Sequence, residues 1–381
     1  MSPFPRPIKA YSKHVNLVAV ASENEGELVN IYFQKTANAQ NDRYYSVKKC
    51  KGYTKFNTNA SLPGAKAGLG LFGFQPSVGN YTFLYGAWDD ATPDTQIYTV
   101  KTGVDPITCG ASAKFATNGN TVEFEQANDE LYATNGVDAV CNMTSAGAWS
   151  ALSSGEPLSG ANTVAKYLSW HNFMMFAART QTAPNKLNVS GAGTPETFTT
   201  YTKTFPFAIV GMKPLANYQV IYTERSIHLV SGYEPSLLAF QEVINPYPCV
   251  SHRSIVQYKD DRGVPEHIYL GSDFVWAFNG SGFRKLGEDS WVAIRDTLST
   301  TRLNQAAAYY DRETDQYRVS VCTGSNTTND TTYAYDFTSG MWVKLPYWSA
   351  CAYTQLGSPT PITYWQEASA LGWVLKANNG N

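Results

Sequence analysis

The sequence predicts an all-β fold, a β-propeller of about seven blades of mostly four antiparallel strands, its first and last segments sharing one blade. Three observations predict it. The stretch from Asn304 to Leu345 reads as consecutive short apolar runs divided by turn material, at Ala306–Tyr310, Gln316–Val321 and Thr332–Phe337. Similar units recur along the chain, closing near positions 103, 142, 191, 231, 280, 339 and 378. Their spacing averages about 45 residues, the length of a four-stranded blade. Third, the chain holds 25 Tyr, 18 Phe, 9 Trp and 29 Gly with abundant Thr and Asn, the profile of a turn-rich β protein, and helical periodicity is nearly absent.

The 304–345 stretch shows why such units need one another. In its second run Tyr317, Val319 and Val321 alternate with Arg318 and Ser320, the period of a half-buried strand. The third run ends in a turn at Asp336–Gly340, and Trp342 follows to cover the sheet. A small antiparallel sheet with two apolar faces cannot bury both alone. Neighbouring copies of the same unit must cover them.

Taken in order, residues 1–14 predict an extended arm, because Pro3, Pro5 and Pro7 fix the backbone and remove donors. Residues 15–381 predict one propeller domain. Within it, 15–56 carries three strand-like runs, and an earlier unit closes near position 52. Residues 60–79 are rich in Gly and Ser, and GLGLFG predicts a tight loop. No phosphate-loop signature follows it. Strand and turn then alternate from Tyr81 onward. Two helical signals interrupt them. Residues 284–303 place Trp291, Ile294 and Leu298 at helical spacing, with Asp289 or Ser290 as the cap. Residues 234–248 predict a single helical turn stopped by Pro246 and Pro248. Sharing a blade between the first and last segments closes the ring without an exposed edge.

Charge and motifs narrow the function. The formal charge is -2, against a general nucleic-acid binder, which carries a concentrated basic surface. The local basic cluster is Lys48, Lys49, Lys51 and Lys55, which reads equally as a solvated strand face or as a lumen-facing contact to DNA. The N-terminus shows no apolar signal-peptide core, and no apolar run is long enough to span a membrane. The six cysteines have no CxxC spacing and read as small buried residues; Cys322 and Cys351 are the pair whose strands would face each other. The five histidines show no HExxH spacing and read as structural. No catalytic residue, cofactor site or metal site is assigned. TNGVD (134–138) and YDRETD (310–315) are oxygen-rich and read as hydrogen-bonded turns. A sugar-cleaving enzyme needs two carboxylates across its substrate. The carboxylates near strand starts are Asp129, Glu130, Glu224 and Glu266. Most tryptophans read as packing between blades.

Three stretches carry a resemblance to a known group. In 15–56, Asn30, Tyr32 and Gly52 match an opening strand followed by a short strand running into glycine, with Lys51 where a proline is usual. In 239–287, Ser251 and Ser254 precede the strand pair marked by Ile268, Tyr269, Leu270, Gly271, Asp273 and Val275. The third is 304–345, with its Tyr-Asp and Ser-Gly-x-Trp pattern. Together they resemble the structural β-propeller proteins of tailed bacteriophages, nearest the podovirus tail hub or nozzle and packaged-DNA-stabilisation family. The resemblance implies a non-enzymatic component of the virion tail. Such a component stands in a ring of about six copies. It touches adaptor or portal-side proteins and tail fibre or tip proteins, and meets passing DNA transiently. Loops 60–79, 153–162, 190–206, 324–331 and 355–362 are the expected contacts. Two alternatives stand beside it, a carbohydrate-binding or host-surface-recognition propeller and a glycoside-cleaving one.

Overall fold

The computed structural model describes residues 31–35, 45–49, 53–56, 68–77, 83–89, 94–101, 107–110, 112–144, 147–151, 164–180, 182–198, 201–243, 247–345, 347–355, 362–367 and 374–377. The 1–14 arm, Lys51, and loops 153–162 and 356–361 lie outside them. Among the described residues no helix is long and apolar enough to cross a membrane.

The fold is a β-propeller of antiparallel sheets, built from consecutive strands in all but the last blade. Six are four-stranded. They cover 123–151, 167–204, 209–243, 256–285, 307–345, and 349–377 with a strand from the start of the chain. The expectation of mostly four strands per blade holds, with one exception. The 68–115 sheet is five-stranded, because Ile107–Thr108 and Lys114–Phe115 both pair with Thr95–Val100. Gly110, at φ 105, turns the chain between them, and its carbonyl accepts the Ala113 N–H. This sheet sits in the ring between the 349–377 and 123–151 blades, its inner strand Gly68–Phe74 against both of theirs.

The shared blade is present as the sequence predicts. Tyr53–Lys55 forms the outer strand of the last blade, pairing Tyr53 with Ala377 and Lys55 with Leu375. Just upstream, Ile31–Lys35 and Tyr45–Lys49 form a separate two-stranded ribbon.

Three local expectations are overturned. GLGLFG is no loop: Gly68–Phe74 is an inner strand, buried almost throughout. Its glycines permit close approach. A Cβ on Gly70 would lie 2.4 Å from the Val122 carbonyl oxygen, and Val122 itself donates to the Leu69 carbonyl at 2.8 Å. The Gln316–Val321 strand is buried on both faces rather than one. Blades cover each other on two sides, so even Arg318 is inside, paired with Asp311 at 2.6 Å and donating to the Tyr347 hydroxyl at 2.6 Å. Within the expected 190–206 loop, Tyr201–Thr204 is the outer strand of its blade.

The helical insertion is present and shorter than 284–303: an α-helix at Glu288–Arg295 and a 3-10 segment at Thr300–Gln305. Gly287 caps it instead of Asp289 or Ser290. Trp342 approaches to within 2.7 Å of where a Gly287 Cβ would stand, and Gly287 has φ 55, so only glycine fits. Trp291 and Trp342 are fully buried with ring centroids 4.6 Å apart, packing the insertion onto the 307–345 blade. The turn expected in 234–248 is the 3-10 segment Pro235–Leu237. Cys322 and Cys351 are both free thiols.

Candidate functional site

Inner strands converge on the propeller axis, and one side chain crosses it. Ser251 and Ser254 bracket the 3-10 turn His252–Ser254 that precedes the inner strand Val256–Lys259. The Ser254 hydroxyl donates to the Ser251 carbonyl at 2.7 Å, and the Ser251 hydroxyl reaches the Ala306 carbonyl of the next blade at 2.6 Å. This brace aims Arg253 across the axis. Its Nε donates to Glu123 Oε1 at 2.7 Å, Nη1 to the Ala350 carbonyl at 3.2 Å, and Nη2 to the Val122 carbonyl at 2.9 Å and the Leu69 carbonyl. One guanidinium thereby ties together three sheets remote in sequence.

A cavity of about 1190 Å³ adjoins this crossing, with Glu123, Glu125, Lys213, His252, Arg253, Tyr310 and Arg312 in its wall. Burial alone would lift the Glu123 carboxyl, but the Arg253 guanidinium overcomes it and holds the group below the usual carboxylate range. Burial pushes Glu125 up to about 7, against the opposing Trp170 N–H, which donates to it at 3.0 Å, and Lys213. Burial also lowers Lys213, whose ammonium donates to the Ile255 carbonyl at 2.6 Å. His252 is pushed down to about 4 by burial. Its Nδ1 accepts the Met212 N–H at 3.3 Å, so the ring is neutral near pH 7 and its 3.8 Å approach to Glu123 is not an ion pair. At the crossing itself the arrangement sets the firm Glu123 carboxylate and the Glu125 carboxyl, which titrates near neutrality, beside Arg253 and Lys213, with Lys259, Arg312 and Glu266 further along the wall.

Of the carboxylates singled out from sequence, Glu266 is in the wall of this cavity, and Asp129, Glu130 and Glu224 lie elsewhere. Asp129 accepts from the Ser77 amide and hydroxyl, both at 2.6 Å, which holds its carboxyl below the usual range. Glu130 accepts from the Tyr132 hydroxyl at 2.6 Å. Glu224 is in an exposed turn of the 209–243 blade. Glu266 pairs with Arg284 at 2.6 Å on the 256–285 blade. These groups occupy three different blades. TNGVD and YDRETD are hydrogen-bonded turns: the Val137 and Asp138 amides donate to Asn135 Oδ1, and the Glu313 amide donates to Asp311 Oδ1. Among the described residues no cluster of His, Cys, Asp and Glu has metal-binding geometry. Lys48 and Lys49 end the ribbon strand Tyr45–Lys49, and Lys55 ends the closing strand Tyr53–Lys55.

Sequence reasoning missed Glu123, Glu125, Lys213 and Arg253, since each comes from a different repeat or lies inside an apolar run. The available signal was the pair of serines flanking His252 and Arg253, a local turn that buries a guanidinium beside a neutral imidazole.

No protein-family model matches the chain, and no curated protein matches it. Solved structures do. The WD40 domain of Neurospora crassa Pan2 superposes with a TM-score of 0.52 at 8% identity, over 88% of this chain and 98% of that domain. Virginiamycin B lyase from Staphylococcus aureus superposes with a TM-score of 0.51 at 8% identity, over 85% of this chain and 97% of that one. At such identity the likeness is one of fold.

Proposed function

We propose that this chain is a structural propeller of a tailed-bacteriophage virion, a hub, nozzle or connector-associated ring of the tail that docks neighbouring tail proteins or fibres. The observation that carries this reading is the closed axis. Arg253 holds three sheets together through backbone carbonyls and Glu123, and the last blade is completed by a strand from the start of the chain. A disc braced in this way suits a part that transmits load and is gripped at its rims. It also means that any DNA passage runs through a ring of copies, not along the axis of one propeller. The sequence resemblance to podovirus tail hubs supports the same assignment. Imaging of tailed particles produced with this chain tests it: a ring of copies below the portal is the expected result, and particles whose tails lack the chain overturn the reading.

A second reading rests on a separate observation. Phe173 and Tyr233 are 68% and 65% exposed on strand connections of adjacent blades, which the Asn172 amide links by donating to the Gly232 carbonyl at 3.1 Å. Exposed rings on such connections suit stacking against a sugar of a host surface.

A further inference from the structure

In the last blade a thiol faces a carboxamide. Cys351, on the inner strand Ser349–Gln355, stands directly opposite Gln366 on the partner strand Ile362–Glu367, so the two side chains share one face of the sheet. The Cys351 thiol donates to Gln366 Oε1 at 3.0 Å, which sets its sulfur one bond away from the carbonyl carbon. Both side chains are buried, and Cys351 is in no disulfide. Cys322, also buried and free, lies farther from a side-chain amide, with Asn329 Oδ1 at 3.5 Å.

The neighbouring blade holds the carboxamide in place. The Gly70 N–H donates to Oε1 at 3.1 Å, and Nε2 donates to the Ala87 carbonyl at 3.1 Å, so the two ends of the amide are not interchangeable. Gly68 leaves room for it, since a Cβ there would overlap the Gln366 side chain. A backbone donor fixed on the amide oxygen stands where charge develops when the carbonyl carbon is attacked, the arrangement of an oxyanion hole. Cys351 is also in the wall of the axial cavity of about 1190 Å³, so the pair is approached from that space.

The geometry points to an internal thioester between Cys351 and Gln366, opened by a primary amine that enters the axial cavity. In the closing step the Cys351 sulfur bonds to Cδ of Gln366 and the Cδ–Nε2 bond breaks. The thiol proton goes to the departing nitrogen, which leaves as ammonia, and neither an oxidant nor a co-reactant is consumed. In the opening step the amine nitrogen bonds to Cδ, the S–C bond breaks, and a proton of the amine passes to the sulfur. A substituted amide at Gln366 and a free Cys351 thiol remain. Burial holds that thiol up at about 12, with the Arg253 guanidinium pulling the other way, so closure is slow and follows folding. The bond does not depend on the tail reading, since a propeller of any role would carry it.

Mass spectrometry of the intact full chain tests it. The wild type is expected one ammonia lighter than its sequence. Cys351→Ser, whose hydroxyl keeps the hydrogen bond to Oε1, is expected at full mass with an unchanged melting curve. Methylamine added to the folded wild type should release one thiol and add one methylamine. The tryptic peptide 345–376 holds both residues, so the adduct is mapped within it to Gln366, while Cys322 serves as the thiol that alkylates in every unfolded sample. A wild type at full mass, with Cys351 as open to alkylation as Cys322 once unfolded, overturns the inference. So does a loss of ammonia that persists in Cys351→Ser. A thioester that methylamine leaves intact overturns the amine step.

Discussion

Glu125 shows how burial on an inner strand changes a side chain that looks ordinary in sequence. It lies two residues from Glu123 on one strand, yet the two carboxyls move in opposite directions. Glu123 meets a guanidinium; Glu125 meets a backbone amide and desolvation. The folded Glu125 carboxyl, at about 7, holds its proton where an unfolded one, near 4.5, has lost it. Its contribution to stability is therefore full below about 4.5 and is lost as pH rises through about 7. His252 acts on the same pH range with the other sign, because the unfolded imidazole gains a proton that the folded one, at about 4, refuses. Comparison with Glu125→Gln isolates the carboxyl. In urea unfolding at a series of pH values, the stability of the wild type relative to Glu125→Gln falls between pH 4.5 and 7. A difference that stays flat or rises across that window contradicts the assignment. None of this was legible in sequence, since EFEQA reads as an alternating half-exposed strand and its environment comes from Lys213 and Trp170 on two other blades.

At the scale of the element, turn positions and apolar runs identify most strands, because the period-2 signal is local. The failures arise where tertiary approach overrides local composition. Glycines in Gly68–Phe74 mimic a loop, but they are there because neighbouring inner strands come within backbone contact of them. Arg318 mimics an outward-facing residue, but a second blade covers that face and supplies the Tyr347 hydroxyl. The Gly68–Phe74 strand is also tied to the last blade: the Gly70 amide donates to Gln366 Oε1 at 3.1 Å, and Gln366 Nε2 donates to the Ala87 carbonyl at 3.1 Å. Gly70→Ala therefore sets a methyl against the Val122 carbonyl in a seam that cannot widen on one side without loosening the other. Overpacking of this kind costs about 1–3 kcal/mol. The check is the denaturation midpoint, which falls accordingly; Gly119→Ala, where a Cβ meets nothing within 4 Å, carries only the strain of φ 75. If Gly70→Ala is as stable as Gly119→Ala, the close approach of the two inner strands is wrong.

The whole molecule is held as a ring, and a ring differs from a stack in having no free end. Each sheet leans on two neighbours, and Arg253 adds a tie through the middle. The closing contact is the pairing of Tyr53–Lys55 with Val374–Ala377, extended by the Phe56 amide to the Val374 carbonyl at 2.8 Å and by the Phe56 ring packed edge-on against Tyr364 at 4.9 Å. This contact joins chain segments more than three hundred residues apart, so it forms late and its loss is felt everywhere. Without it Val374–Ala377 becomes an exposed edge strand, open to pairing with another chain. Deleting residues 1–56 should convert one cooperative unfolding transition into a broader or earlier one and raise self-association, read by calorimetry and by light scattering. A peptide spanning residues 45–56 added in excess should reverse both changes, since it can re-form the missing strand in trans. Unchanged melting and a monomeric state after the deletion would mean that the axial tie alone holds the ring. The closing strand would then be a surface addition with no part in the core architecture.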